Sequence, residues 1–222
     1  MIAIVSDIHG NLVAFEKVLS EILLYDVSEI YFLGDAVNYY PDCNGVIELL
    51  KKHQVKCILG NHDNMVIHNK GITESQEKIY NLNSTQGLIT SSNLNFMRLW
   101  SSSFILEVER KKILLVHGSS TDNLEGYIYP DSDLSEYNQI EYDYIFSGHT
   151  HRSMIRKYNG TTFVNPGSAG MPRDVGNQLS FAIVDFERDL VSIKKVESPI
   201  QEIRAAYGAM VHPAVLKLLE RL

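Results

Sequence analysis

The sequence predicts an α/β protein built on two packed β-sheets with helices outside. Three observations lead there. Short apolar runs alternate with helical periodicities in the first third of the chain, as in the βαβ units of a buried parallel sheet. Five apolar runs end in Asp, Asn or His beside glycine. The second half reads mainly as strands joined by tight turns.

Taken in order, "IAIV" runs into Ser6-Asp7-Ile8-His9-Gly10, and Leu12, Phe15, Val18, Leu19 and Ile22 then recur at helical spacing. "IYFL" runs into Gly34-Asp35 and is followed by a second helical pattern at Val46, Ile47, Leu49 and Leu50. "CIL" runs into Gly60-Asn61-His62-Asp63. Residues 68–103 are more polar, with helical patterns near "EKIYNL" and "NLNFMRLW", and read as a helical cap or connection rather than a separate domain. "FILEVERKKILLV" gives two strands around Glu109-Arg110-Lys111, the second ending at His117-Gly118. "YIF" runs into Ser147-Gly148-His149-Thr150-His151, and "SMIRKYNGTTFVN" is a hairpin around Asn159-Gly160. "LSFAIVDF" and "LVSIKKV" add a strand pair, and residues 197–222 form a helical, amphipathic tail on both sides of Pro213. The 222 residues are expected to form a single domain.

Composition narrows the function. A net charge of -7 supplies no basic footprint for a nucleic-acid backbone, so duplex binding is not expected. Cys43 and Cys57 are too few and isolated for a disulfide framework or a thiolate metal site, and read as reduced packing residues. The start "MIAIVSDIHG" has no basic region and only a short apolar stretch, so neither a signal peptide nor a membrane span is expected, and the cytoplasm is the expected location.

Of eight histidines, five (His9, His62, His117, His149, His151) sit in the strand-end segments with Asp7, Asp35 and Asn61. Loops at the carboxyl ends of parallel strands share one crevice, so these side chains can meet. In an extended chain His149 and His151, two residues apart, would turn to the same side. Imidazole and carboxylate without thiolate suit manganese, iron, zinc, cobalt or nickel, and there are ligands enough for two divalent ions. Two neighbouring cations need a bridging anion, for which Asp35 is the candidate. Such a pair acidifies water and holds phosphoryl oxygens, which points to phosphoester hydrolysis.

Together "DIHGN", "GDAV", "GNHDN", "VHG" and "GHTHR" resemble the motifs of the calcineurin-like metallophosphoesterases, in family order from Met1 to about Asp185. "VNPGSAGMPRD", residues 164–174, resembles the small bacterial and archaeal phosphodiesterase-type branch. The resemblance implies a four-layer αββα sandwich of two mixed sheets flanked by helices, with the metals at the strand C-terminal ends. It assigns Asp7, His9, Asp35 and His151 to one ion and Asp35, Asn61, His117 and His149 to the other. It also implies attack by a metal-bound hydroxide, with His62 as general acid.

Asn38 and Tyr39 stand where the protein Ser/Thr phosphatase branch has an acid and an arginine. Small phosphorylated substrates, nucleotide-like ones among them, are therefore expected, as diesters or monoesters. The alternatives are a phosphoprotein phosphatase and a non-catalytic scaffold of the same fold. Asn11, Asn38 and Arg173 are candidate substrate contacts. Asn11 also suits a helix cap, and Arg173 a surface site or an ion pair near Asp174. Asp63 is expected to support His62 or to cap a helix. Tyr39, Tyr40, Tyr127 and Tyr129 read as packing residues first and as pocket-lining residues second.

Overall fold

A computed structural model describes residues 1–221. The chain forms β1 (Ile2–Val5), α1 (Leu12–Ile22), β2 (Glu29–Phe32), α2 (Cys43–Lys52), β3 (Lys56–Cys57) and α3 (Asn61–Ile67) in strict alternation. Three short helices follow, α4 (Glu74–Tyr80), α5 (Leu82–Leu88) and α6 (Ser91–Met97). Next come β4 (Ser103–Val108), β5 (Lys111–Val116), a 3-10 turn at Ser135–Tyr137, β6 (Tyr144–Phe146), β7 (Met154–Tyr158), β8 (Thr161–Asn165), β9 (Gln178–Asp185) and β10 (Leu190–Glu197). The chain then runs through α7 (Ile200–Tyr207) and α8 (Pro213–Leu216) into a final 3-10 turn, Lys217–Glu220.

Two five-stranded mixed sheets result, ordered β10-β9-β1-β2-β3 and β4-β5-β6-β8-β7. In the first sheet β1, β2 and β3 are parallel, and in the second β5, β6 and β8 are. Each parallel core is flanked by antiparallel strands. The sheets pack face to face through Ile4, Leu33, Ile113, Leu115, Phe146, Val164 and Val184. This brings the carboxyl ends of six parallel strands to one rim.

The two-sheet sandwich with helices is as the sequence predicts, and the two outer layers differ. Helices cover the first sheet: Phe15, Val18 and Ile22 of α1, Val46, Ile47 and Leu50 of α2, and Ile203 and Tyr207 of α7 join its outer core. The outer face of the second sheet is covered by the long 117–143 connection, whose Ile128, Leu134 and Tyr137 pack on Leu114, Val116, Ile145 and Phe163. No helix among the described residues is long and apolar enough to cross a membrane.

Candidate metal centre

Five of the predicted ligands adopt backbone conformations that their residue types rarely choose. Asp7, His9, Asp35, His149 and His151 all have φ between 55° and 66°. For a residue with a Cβ this left-handed region costs about 1 kcal/mol or more, and it clusters at functional sites. It folds each loop back sharply at its strand end, so that the side chains point along the rim.

The loops are tied to one another. Asp7 donates its N–H to Gly34 O, and Ile8 and His9 donate theirs to Asp35 O. Gly170 N–H and the Ser168 hydroxyl both donate to Asp7 O, and Arg173 N–H donates to His151 O. The Asp63 carboxylate accepts from three backbone amides, those of Asp35, Ala36 and Gly60. Gly60 is required there, because a Cβ would lie 2.1 Å from Asp35 Oδ1.

The side chains converge in two overlapping groups, all buried. Asp7 Oδ1 lies 3.3 Å from His151 Nε2, which is 3.1 Å from His9 Nε2. His117 Nε2 lies 3.1 Å from Asn61 Oδ1, 3.1 Å from His149 Nδ1 and 3.3 Å from Asp35 Oδ2. Asp35 Oδ2 is also 3.6 Å from His9 Nε2, so this one oxygen faces both groups. His149 and His151 turn toward different groups, not the same one. Both sit in the left-handed region, so the alternation of an extended chain does not apply to them.

The donor chemistry tests whether these atoms suit a cation. His9 Nδ1 donates to Val37 O and His151 Nδ1 donates to Met171 O, which leaves each Nε2 as a lone pair. Burial holds both rings neutral, pushing His9 down to about 3 and His151 well below its ordinary value. Two acceptor nitrogens therefore face each other with the unpartnered Asp7 Oδ1 beside them. Burial also pushes the Asp7 carboxyl up to about 7, so without a metal a single shared proton is the alternative occupant, whereas a divalent cation would satisfy all three buried acceptors at once.

In the second group His117 Nδ1 donates to Leu33 O. Burial disfavours a charge on that ring, but the Asp35 carboxylate outweighs burial and raises it to about 9. A proton thus stands on His117 where a metal would bind. Burial likewise pushes Asp35 up, yet His117 and His62 hold it well below the usual carboxylate range. The donor atoms of both groups suit divalent metal ions.

His62 sits beside this cluster, with a ring nitrogen in reach of His9 and Asp35. Asn38 Nδ2 donates to His62 Nδ1 at 3.0 Å, which leaves the ring proton on Nε2. Burial pushes His62 down to about 4. Tyr39 and Tyr80 pack on the ring at centroid distances of 5.0 and 4.7 Å.

The candidate substrate contacts divide. Asn11 is fully buried; its Oδ1 accepts from Ala14 N–H and its Nδ2 donates to Gly170 O, so it is a cap and tether, not a substrate contact. Asn38 is also buried and is occupied with His62. Arg173 forms no ion pair with the described residues, and its charge is felt by Asp7, His9, His62, His149 and His151. Asp174 pairs with Lys195 instead. Asp63 clamps the Asp35 loop and closes the start of α3; it does not touch His62.

Three contributors go beyond the sequence reading. Asn165 holds the His149 loop by donating to Gly148 O and Thr150 Oγ1, and Ser168 holds Asp7. Both lie in "VNPGSAG", a visible signal without a visible role. Tyr80 carried no signal, since its helix is amphipathic only in tertiary context. Of the tyrosines, Tyr40 is buried packing and Tyr39 is buried against His9 and His62, whereas Tyr127 and Tyr129 are exposed.

Residues 1–189 match the family model described as the calcineurin-like phosphoesterase superfamily domain. An uncharacterized protein of Methanocaldococcus jannaschii is 30% identical over 95% of this chain and 92% of its own length. Phosphodiesterase YfcE of Escherichia coli K12 is 26% identical over 85% of this chain and 88% of its own. The crystal structure of a metallophosphoesterase from Sphaerobacter thermophilus superposes with a TM-score of 0.83, at 25% identity, over 99% of this chain and 98% of the other.

Proposed function

The chain belongs to the calcineurin-like phosphoesterase superfamily, and from that premise we propose that it hydrolyses phosphodiesters or phosphomonoesters of small, nucleotide-like molecules at a dinuclear metal centre. The observation that carries this reading is the meeting of buried lone-pair atoms at Asp7 Oδ1, His9 Nε2 and His151 Nε2, the two imidazoles having their only proton turned away to backbone carbonyls. Asp7, His9, Asp35 and His151 would hold one divalent ion, and Asp35, Asn61, His117 and His149 the other. Manganese, iron, zinc, cobalt and nickel all suit this donor set. Bound there, such ions acidify water and neutralise phosphoryl oxygens.

The protein's own residues supply the rest. Asn38 and the two tyrosines fix the His62 ring; in the imidazolium that would act as the acid, Nδ1 also carries a proton, which the Asn38 amide would accept through its unpartnered Oδ1 on turning over, while Nε2 presents its proton to the leaving oxygen. An anionic phosphate beside the ring offsets the burial that disfavours its protonated form. The Arg173 guanidinium matches phosphate geometry and would draw the substrate in and hold a non-bridging oxygen. Tyr80, from the 68–103 segment, lies against His62, which supports a capping role for that segment within one catalytic domain. The net charge of -7 disfavours duplex nucleic acid and supports small substrates.

Metal analysis of protein purified without added metal, then a screen of phosphomono- and diesters with each metal restored, tests the proposal. His62→Asn is expected to keep its metals and lose about a hundredfold or more in turnover of alkyl or nucleoside esters, with a smaller loss for p-nitrophenyl esters, whose leaving group needs little protonation. Unchanged turnover of alkyl esters with metals in place would remove the general-acid role.

A further inference from the structure

We infer that Tyr127 and Tyr129 form an aromatic shelf at the mouth of the metal centre. The shelf would stack the nucleobase or aryl group on the retained side of the substrate, so that the enzyme selects nucleoside phosphoesters over alkyl ones. The inference rests on the hydrolase proposal above and names its substrate class.

Tyr127 and Tyr129 are 49% and 39% exposed, so both present ring surface to solvent. Their rings are parallel within 3°, with centroids 5.5 Å apart. That separation is too short for a third ring between them, which places the ligand on the outside of an offset pair. Tyr127 also lies against His149, centroid to centroid 4.1 Å. The shelf therefore begins at a proposed metal ligand. His62, the proposed donor to the leaving group, has its own aromatic neighbours, Tyr39 and Tyr80. A phosphodiester has two organic arms, and the two aromatic walls give each a place.

The shelf is built rather than incidental. Between the two tyrosines Ile128 is buried in the core beneath the second sheet, so the alternation of side chains sends both rings the other way. Gly118, directly after His117, packs on Gly126, directly before Tyr127: a Cβ on Gly118 would lie 2.7 Å from Gly126 N. Ser119 N–H and Gly126 N–H both donate to Asp122 O, while Tyr129 N–H donates to Ser132 Oγ. One ligand loop thus fixes the position of the shelf relative to the metals. A rigid ring pair stacks any base with little ordering cost and without reading its hydrogen-bonding edge.

Two esters with one leaving group test the inference: thymidine 5′-(p-nitrophenyl phosphate) and methyl p-nitrophenyl phosphate. The parent enzyme is expected to prefer the thymidine ester in kcat/KM, mainly through KM. Tyr129→Ala, which removes a ring that does not touch His149, is expected to shrink that preference about tenfold, as loss of one base–aromatic stack does. Tyr129→Phe is expected to keep it, because the ring and not the hydroxyl carries the contact.

Equal kcat/KM for the two esters in the parent, or an undiminished preference in Tyr129→Ala, would overturn the shelf. Equal losses on both esters in Tyr129→Ala would make the ring structural and likewise overturn it. If the parent cleaves neither ester, the hydrolase proposal is what fails. Equilibrium binding of thymidine 5′-monophosphate against methyl phosphate then decides the shelf, and equal affinities count against it.

Discussion

Two of the settings in which the molecule uses the left-handed backbone conformation serve different purposes. In the hairpins at Glu109-Arg110 and Asn159-Gly160, φ values of 50° and 62° and of 46° and 86° reverse the chain in two residues, with Val108 opposite Lys111 and Tyr158 opposite Thr161. In the ligand loops, Asp7, His9, Asp35, His149 and His151 adopt the same region without pairing adjacent strands; the sharp bends there aim side chains. The hairpins are exposed, and beyond the paired strands they have only peripheral ties, Asn159 to Asn138 O and Lys111 to Asp189. The ligand loops are buried and held by hydrogen bonds from other loops, including the three that Asp63 accepts. Strain at a turn is tolerated, whereas strain at the metal centre has to be imposed by the surroundings.

The largest expected effect breaks the ligand side of this contrast. Asp35→Asn replaces the one oxygen that faces both groups with a neutral amide, which cannot offset two cations. Most metal should be lost from both sites, measured as ions per chain after dialysis against a fixed metal concentration. Retention of two ions at unchanged affinity would mean that Asp35 is not shared.

Asp63→Ala removes the clamp without touching a ligand. Three buried N–H groups lose their acceptor, so a loss of about 3–5 kcal/mol is expected. Urea unfolding of metal-free protein isolates this from metal binding. A change within about 0.5 kcal/mol, the size of an ordinary surface substitution, would show that the loops hold their shape without it.

A smaller effect lies on the outer tether of the His149–His151 loop. The Asp174 carboxylate accepts from Ser153 N–H, the Ser153 hydroxyl and Lys195. Burial pushes its pKa up, but the Ser153 and Lys195 contacts prevail and hold it below the ordinary carboxylate value. Its folded value being depressed, the stabilisation is complete above a pH of about 4 and is lost as pH falls through the folded value. Asp174→Asn should cost about 1 kcal/mol or less at pH 7, since the group is partly solvated. The gap from the parent should close in acid. A gap that stayed constant from pH 7 to pH 3 would assign the effect to packing.

The contrast also explains which parts were legible in the sequence. Asn159-Gly160 announces its turn, because each residue type tolerates positive φ. The strands and the first two helices announce themselves by period. The ligands were visible as residue types at strand ends, but their conformation was not: aspartate and histidine tolerate the left-handed region better than most residues yet seldom adopt it unaided, and hydrogen bonds from residues up to 161 positions away impose it. That is why the alternation applied to His149 and His151 gave the wrong facing. For the same reason the partners of Asn11, Asn38 and Asp63 were not legible, although the capping reading of Asn11 and Asp63 was. Their actual partners are backbone groups and a ring supplied by other segments.

The smallest prediction concerns Glu109-Arg110, where the turn is left-handed but neither residue type favours it. Tight two-residue hairpins of this hand are usually built from Asn, Asp and Gly, which avoid the clash of a Cβ with the neighbouring peptide. Arg110→Gly removes the Cβ at φ 62° and should relieve about 1 kcal/mol of strain, while the freer unfolded chain takes back part of that gain. A net stabilisation of about 0.5 kcal/mol is expected, read as a higher urea midpoint with an unchanged slope. The same relief is not open to the ligand loops, because there the side chain is the reason for the strain. A lower midpoint for Arg110→Gly would mean that the arginine side chain contributes more than its backbone costs, and the hairpins would then belong with the ligand loops, held by their surroundings.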